Sequence, residues 1–435
     1  MTENNKSYPE LKGLKRHNVG CIVTGTSVVN PQHASPSGLC AVCLKEGMCE
    51  IGKKAKTGRT VFPEPFGVAQ FSPEKRLPFL SDIQILPQIT GKEVIFRNVK
   101  TDANIGGFKC SAPLAIAAMG STIVAHKHGK DLAAGAAKAG IPMTVGENVY
   151  ITYGKKGLKD RIKPYLDNYH RRGAVGVQVN ANEFKLNVGK IGVELGAQYV
   201  ELKLGQGCKM GLGGEIKFKS AKDAEKYKKM GITVVKGKEC YERHCSPGGI
   251  SEESLKKIIL KHKSLRVPIW IKIAAGRGIV DTLKYFQKIK KKEHVNIKCV
   301  TIDGYGGSTG MSPWLIMNEV GVPSWTIFNA INKKKFDFDI MLTGGFTNGI
   351  EVGKGMMLGA DAIAMGRTFL IAANVKKAKG IENYVKSVKE ELQMLCATQR
   401  LDKVKELKDR RENLFAISKE AADLFGLKTN VKKLL

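Results

Sequence analysis

The 435-residue sequence has no apolar run approaching the ~20 residues that span a bilayer, which argues against a membrane-spanning helix. Met1–Lys15 is polar and lacks the apolar core of an export signal, so a cytoplasmic location is expected. Without an export signal, the ten cysteines read as thiols or metal ligands rather than disulfides. Acidic residues are scarce: 40 Asp and Glu stand against 71 Lys and Arg, a formal charge of +31. That balance raises the question of nucleic acid, yet zinc-finger, helix-turn-helix and RNA-binding signatures are all missing. The lysines are spread over helices such as Lys284–Lys292 and the tail Lys376–Lys433, as on many lysine-rich surfaces. No nucleic-acid or membrane partner is expected; an acidic protein suits this surface better.

What is present is a length right for a barrel of roughly 250 residues with extensions. Residues 1–85 hold four cysteines and many Pro and Gly with little periodicity, and read as an irregular extension. From Leu114, short β-branched runs alternate with amphipathic stretches, the mark of repeated β-α units and a parallel sheet. Strands are predicted at Leu114–Ala118, Pro142–Val145, Ala174–Val179, Tyr199–Leu204, Ile269–Ile273, Val300–Asp303, Ile340–Thr343 and Ala362–Met365. Eight such strands predict a (β/α)8 TIM barrel over residues 86–380. Helices are expected at Lys130–Ala139, Glu183–Leu195 and Glu252–Lys263, the last with Ser251 as its N-cap. The connection 205–250 is long for a barrel loop, and long loops at this end of a barrel are usually functional. Residues 381–435 read as a basic helical tail packed outside the barrel.

After the seventh strand comes Gly344-Gly345-Phe346-Thr347-Asn348-Gly349, and after the eighth Gly366-Arg367-Thr368. Barrels commonly hold a phosphate between these two loops. Glycines let backbone N–H groups approach phosphate oxygens, and Arg367 adds a charged contact. Either turn alone could be only a tight turn; two on the correct strands favour phosphate.

The cysteines fall into two sets. Cys40-Ala-Val-Cys43-Leu-Lys-Glu-Gly-Met-Cys49 puts three thiols within ten residues, with Cys21 upstream as a fourth. Such loops suit an iron–sulfur cluster, with 4Fe–4S expected; zinc, with His33 as a ligand, is the alternative. Cys208, Cys240 and Cys245 all lie in the 205–250 insertion and could hold a second cluster or be small buried hydrophobes. Cys110 and Cys299 read as core residues.

Several segments resemble the FMN-binding domain of the glutamate synthase family, in its stand-alone archaeal type. Glu201-Leu-Lys-Leu-Gly-Gln-Gly-Cys-Lys-Met-Gly-Leu-Gly-Gly214 resembles that family's Lys…Gln-Gly-Ala-Lys-x-Gly-x-Gly-Gly motif. Ser308-Thr-Gly-Met-Ser-Pro313 resembles its Gly-Thr-Gly-Ala-Ser-Pro segment, with Gly307 just before it. Gly344-Gly345 and Gly359-Ala360-Asp361 match its Gly-Gly … Leu-Gly-Ala-(Asp/Glu) region. Ala118-Met119-Gly120-Ser121 resembles its first-strand flavin loop, and Gly146-Glu147 its Gly-Glu after the second strand. The resemblance runs in order over about residues 105–375.

The resemblance implies FMN across the C-terminal mouth of the barrel. Backbone near Ala118 and Met119 would face the ring, and Gln206 would bind its pyrimidine edge. Gly307, Gly344, Gly345, Gly366 and Arg367 complete the cofactor set. Lys272 in Trp-Ile-Lys-Ile alternates away from Ile271 and Ile273, towards the barrel interior or its mouth, where a cation can stabilise charge on reduced flavin. Lys209 would bind the carboxylates of 2-oxoglutarate, and Glu147 would contact the imine nitrogen, relay a proton, or simply cap a helix. The reaction implied is reductive amination of 2-oxoglutarate to glutamate by an oxidoreductase acting on CH–NH2 donors.

Two departures matter. No glutaminase domain is visible, so ammonia is free or comes from a separate glutaminase subunit. The family's cysteine-rich segment after the barrel is reduced to Cys396. A second cluster on Cys208, Cys240 and Cys245 would substitute for it, an iron–sulfur cluster in the N-terminal extension would take electrons from ferredoxin or another donor, and an oligomer is expected. Two alternatives stay open: an N-methylglutamate synthase-like flavin transferase, and a flavin-fold electron-transfer or regulatory subunit.

Overall fold

A computed structural model describes residues 78–207, 216–218, 220–229, 234–236, 241–243, 251–307, 320–331 and 335–429. Eight parallel strands close on themselves: β1 (Leu114–Met119), β2 (Met143–Val145), β3 (Val175–Val179), β4 (Tyr199–Lys203), β5 (Ile269–Ala274), β6 (Ile297–Asp303), β7 (Asp339–Thr343) and β8 (Ala362–Met365). Each pairs with the next, and β8 returns to β1 through Ile363↔Leu114 and its neighbours. The (β/α)8 architecture is therefore the one the alternating pattern predicts, with every predicted strand present. No helix among the described residues is long and apolar enough to cross a membrane.

The helices that position the mouth are α1 (Gly129–Ala139), α2 (Val149–Asp167, kinked at Gly154), α3 (Glu252–Lys263), α4 (Ile279–Lys292), α5 (Gly349–Leu358) and α6 (Arg367–Thr398, kinked at Lys376–Lys377). Ser251 caps α3 as expected, its hydroxyl accepting from Ser254 N–H at 3.2 Å. The helix expected over Glu183–Leu195 is two short helices, Ala181–Lys185 and Val188–Glu194. They are separated by Asn187 at φ 54°, a left-handed conformation that Asn tolerates better than most residues. The insertion 205–250 contains the helix Ala221–Lys229 and an antiparallel sheet of Ile216–Phe218, Tyr241–Arg243 and Val234–Lys236. The tail after α6 is not helical throughout. Leu414–Ala416 forms a strand antiparallel to Ile83–Ile85, because Leu414 and Ala416 are buried on either side of half-buried Phe415.

Strand alternation sorts side chains into two cores. Outward residues such as Val177, Ile271, Ile273 and Leu342 pack under the helices. Inward residues Ala115, Tyr199, Trp270, Cys299, Met341, Ala362 and Ala364 fill the lower barrel. Cys110 and Cys299 are buried there, as core residues. The hairpin of Ala103–Ile105 and Phe108–Cys110 stoppers the floor, with Ile105 and Phe108 against this inner cluster. Its turn requires glycine at 106. That residue sits at φ +56°, donates to Asp339 Oδ2 at 2.7 Å and accepts from Trp270 Nε1 at 3.2 Å. A Cβ there would lie 2.2 Å from the Trp270 ring.

Candidate active site

The barrel interior changes character from floor to mouth. Above the apolar layer, Thr144 Oγ1 and Tyr199 Oη share a 2.7 Å hydrogen bond. Higher still, buried Glu201 accepts from Gln178 Nε2 at 2.5 Å and from Thr301 Oγ1 at 3.2 Å. Burial pushes the Glu201 carboxyl above its ordinary value, while Lys272 and these two donors oppose the rise.

The top tier carries the charges. Lys272 does point inward, as its alternation with Ile271 and Ile273 predicts, and its Nζ lies 2.9 Å from Asp303 Oδ2. Burial alone would lower the Lys272 ammonium, but Asp303, Glu201 and Glu147 together hold it above its ordinary value. Lys203 pairs with Glu147, their side chains only 16% and 17% exposed. Burial would raise Glu147; the Lys203 ammonium, by charge and hydrogen bond, and Lys272 beyond it overcome that and hold the carboxyl down at about 2. Lys203 also donates to Gln206 Oε1 at 2.7 Å, and Gln206 Nε2 donates to Gly307 O at 2.9 Å. Both ends of the Gln206 amide are thus engaged, each with one further hydrogen bond to offer. Glu147, Gln206, Lys272 and Gly307 are brought together. Lys209 lies outside the described residues, as do Cys21, Cys40, Cys43, Cys49, Cys208, Cys240 and Cys245.

The loop after β1 is held from behind. Arg161 on α2 is buried and donates through Nη1 to Met119 O at 3.1 Å and Gly120 O at 2.8 Å. Tyr153 on the same helix donates to Ser121 O at 3.0 Å. Three consecutive carbonyls are therefore occupied by α2, and Ala118 and Met119 are half-buried at the strand end.

Two helices begin beside the glycine turns of β7 and β8, and they differ. The start of α5 is already occupied by acids: Thr347 N–H donates to Glu351 at 2.6 Å and Gly349 N–H to Glu391 at 2.5 Å. Tyr384 of α6 holds Thr347 O as well. The start of α6 has no side-chain cap at Gly366. Gly345, at φ +102°, faces open space: a Cβ there would meet nothing within 4 Å. Half-buried Arg367 has no hydrogen bond or ion pair to a side chain among the described residues. Burial lowers its guanidinium from its ordinary value with no acid to offset the effect. An uncapped helix start, an open glycine turn and a desolvated, uncompensated cation form a cradle for an anion.

Lys203, Asp303, Arg161 and Glu201 were not singled out from sequence. The signal was available for three of them: Glu201 and Lys203 alternate inward on β4, and Asp303 follows Thr301 by two on β6.

Residues 80–379 match the family described as the conserved region in glutamate synthase. The archaeal-type glutamate synthase (NADPH) of Dehalococcoides mccartyi is 27% identical over 276 residues, covering 61% of this chain and 49% of that protein. The archaeal glutamate synthase (NADPH) of Archaeoglobus fulgidus is 26% identical over 269 residues, 60% of this chain and 48% of that protein. The chain thus spans about half the length of these curated relatives. Among solved structures, a mandelate oxidase variant with a monooxide FMN adduct superposes with a TM-score of 0.51 at 15% identity, over 76% of this chain and 87% of that one. At that identity the likeness is one of fold.

Proposed function

The chain belongs to the glutamate synthase family, and from that premise we propose an FMN-dependent oxidoreductase that reductively aminates 2-oxoglutarate to glutamate. The observation that carries the cofactor reading is the uncompensated Arg367 beside the open turns at Gly345 and Gly366. The residues fit FMN: Gly344, Gly345, Gly366 and Arg367 would hold the phosphate, and the backbone at Ala118–Met119 would flank the ring. Lys272, paired with Asp303, and Gln206, bonded to Gly307 O, would meet the ring's polar edge. When bound, FMN supplies the two-electron reduction of an imine formed from 2-oxoglutarate and ammonia.

The chain's own groups do the rest. Glu147, held at about 2 by Lys203, stays ionised at neutral pH and serves to attract a cationic nitrogen rather than to carry a proton. Lys209 would hold the substrate carboxylates. Electrons would enter from ferredoxin or another donor through an iron–sulfur cluster on Cys21, Cys40, Cys43 and Cys49, within an extension ending near residue 85. Cys208, Cys240 and Cys245 are candidates for a second cluster. Ammonia would be free or arrive from a glutaminase subunit, in a cytoplasmic oligomer.

The test is direct. Protein loaded with FMN is reduced with dithionite, freed of excess and mixed with 2-oxoglutarate and ammonium. Flavin reoxidation with glutamate formed in equal amount is the expected result. Reduced protein that survives this mixture unchanged refutes the glutamate reading.

A further inference from the structure

Lys272 does not stand in the barrel as a free cation. Its Nζ contacts Asp303 Oδ2 at 2.9 Å, with side-chain exposures of 5% and 1%. Apart from that ammonium, neither Asp303 oxygen has a hydrogen-bond partner among the described residues. Among the described residues Lys272 is thus the one polar partner of the carboxylate, whose Oδ1 packs against the Gly307 backbone. Lys203 is matched in turn by Glu147, and Glu201 lies below both. With all five groups ionised, the tier holds two positive and three negative charges.

We propose that Asp303 is a positioning residue that acts through Lys272: by neutralising that cation it keeps the barrel mouth from favouring negative charge on a bound flavin, and so holds the flavin's reduction potential low. The proposal rests on the FMN reading above. Reduction takes two electrons from a donor and one proton from solvent, leaving one net negative charge on the ring. A carboxylate next to the stabilising lysine opposes that charge; an amide in its place does not. Asp303→Asn keeps an acceptor oxygen for Lys272. Glu201 and Glu147 remain to keep the ammonium protonated.

FMN uptake by the wild type is measured first, by absorption. Loaded wild type, Asp303→Asn and Asp303→Ser are then equilibrated with a reduced two-electron dye at neutral pH. The reduced-to-oxidised ratio of bound flavin is expected to rise at least tenfold in both variants, about 30 mV upward. Adding Lys272→Met to Asp303→Asn should reverse the gain. A merely structural ion pair would alter stability and leave the ratio in place. An unshifted or lowered ratio in a variant that binds FMN overturns the assignment of Asp303 and leaves the flavin reading standing. Wild type that takes up no FMN overturns both. If Asp303→Asn does not fold, Asp303→Ser decides by the same ratio.

Discussion

Replacing Lys203 by Met removes the cation that Glu147 faces at the barrel mouth and the donor that fixes Gln206. The stem is nearly conserved in shape, so the change is chiefly one of charge. In the wild type the Glu147 carboxyl is held at about 2 against an ordinary 4.5. That depression corresponds to about 3 kcal/mol. Breaking one side of a fully buried pair costs about 3–5 kcal/mol, which bounds this partly buried one from above. Because the folded value is lowered, this stability is fully present above the unfolded value and is lost as pH falls towards the folded one. Near pH 3.5, about 1.4 kcal/mol of it should already be gone. In the variant, burial acts on Glu147 with the more distant Lys272 and a backbone hydrogen bond left to oppose it, so protonation costs far less. Urea unfolding followed by near-ultraviolet circular dichroism, at neutral pH and at about pH 3.5, measures the gap between the two proteins. The gap should be about 3 kcal/mol at neutral pH and should shrink in acid by at least half of that. A gap that is constant or grows as pH falls would show that Lys203 stabilises by packing and that the charge argument is wrong.

Arg367→Ala should weaken FMN binding by about 1.5–3 kcal/mol, read by quenching of flavin fluorescence, with little change in the unfolding midpoint of the apoprotein. Gly106→Ala should destabilise the barrel by roughly 3 kcal/mol or more, since it combines a left-handed backbone with a clash against Trp270; calorimetry would check it. Anaerobically purified protein should contain iron and sulfide, and Cys40→Ser, Cys43→Ser or Cys49→Ser should each remove most of both. Stoichiometric zinc without sulfide would instead point to a structural zinc site.

The barrel was legible because each strand is a short run of β-branched and apolar residues between polar helices. Ile269–Ala274 and Ile297–Asp303 show why: both faces are buried, one by helices and one by the barrel's own contents. Lys272 was legible for the same reason, as the charged member of an otherwise apolar alternation. Its partner was not. Asp303 ends its strand, where an acid reads as a turn or a cap, and only the pairing register of β5 with β6 sets it beside Lys272. The charge state of Glu147 likewise depends on Lys203, 56 residues away in the chain. Arg161 shares a stripe with Leu158, Ile162 and Tyr165, which are all buried. An arginine in that company is a signal that a helical wheel displays, but what it binds, two carbonyls of the loop after β1, is set by tertiary contact alone.

The stoppered floor has a consequence for traffic. Among the described residues, Ile105 and Trp270 are both fully buried at the base and close the barrel axis at that end, which leaves the opposite end for access. A one-ended vessel has a single rim, and whatever reacts inside must cross it. If the dicarboxylate, the nitrogen source and the electron donor all serve this site, they meet on the same side of the sheet and compete for one opening. Their order of arrival then becomes a property of the loops around that rim, and a bound reactant can itself serve as the door that closes behind the others.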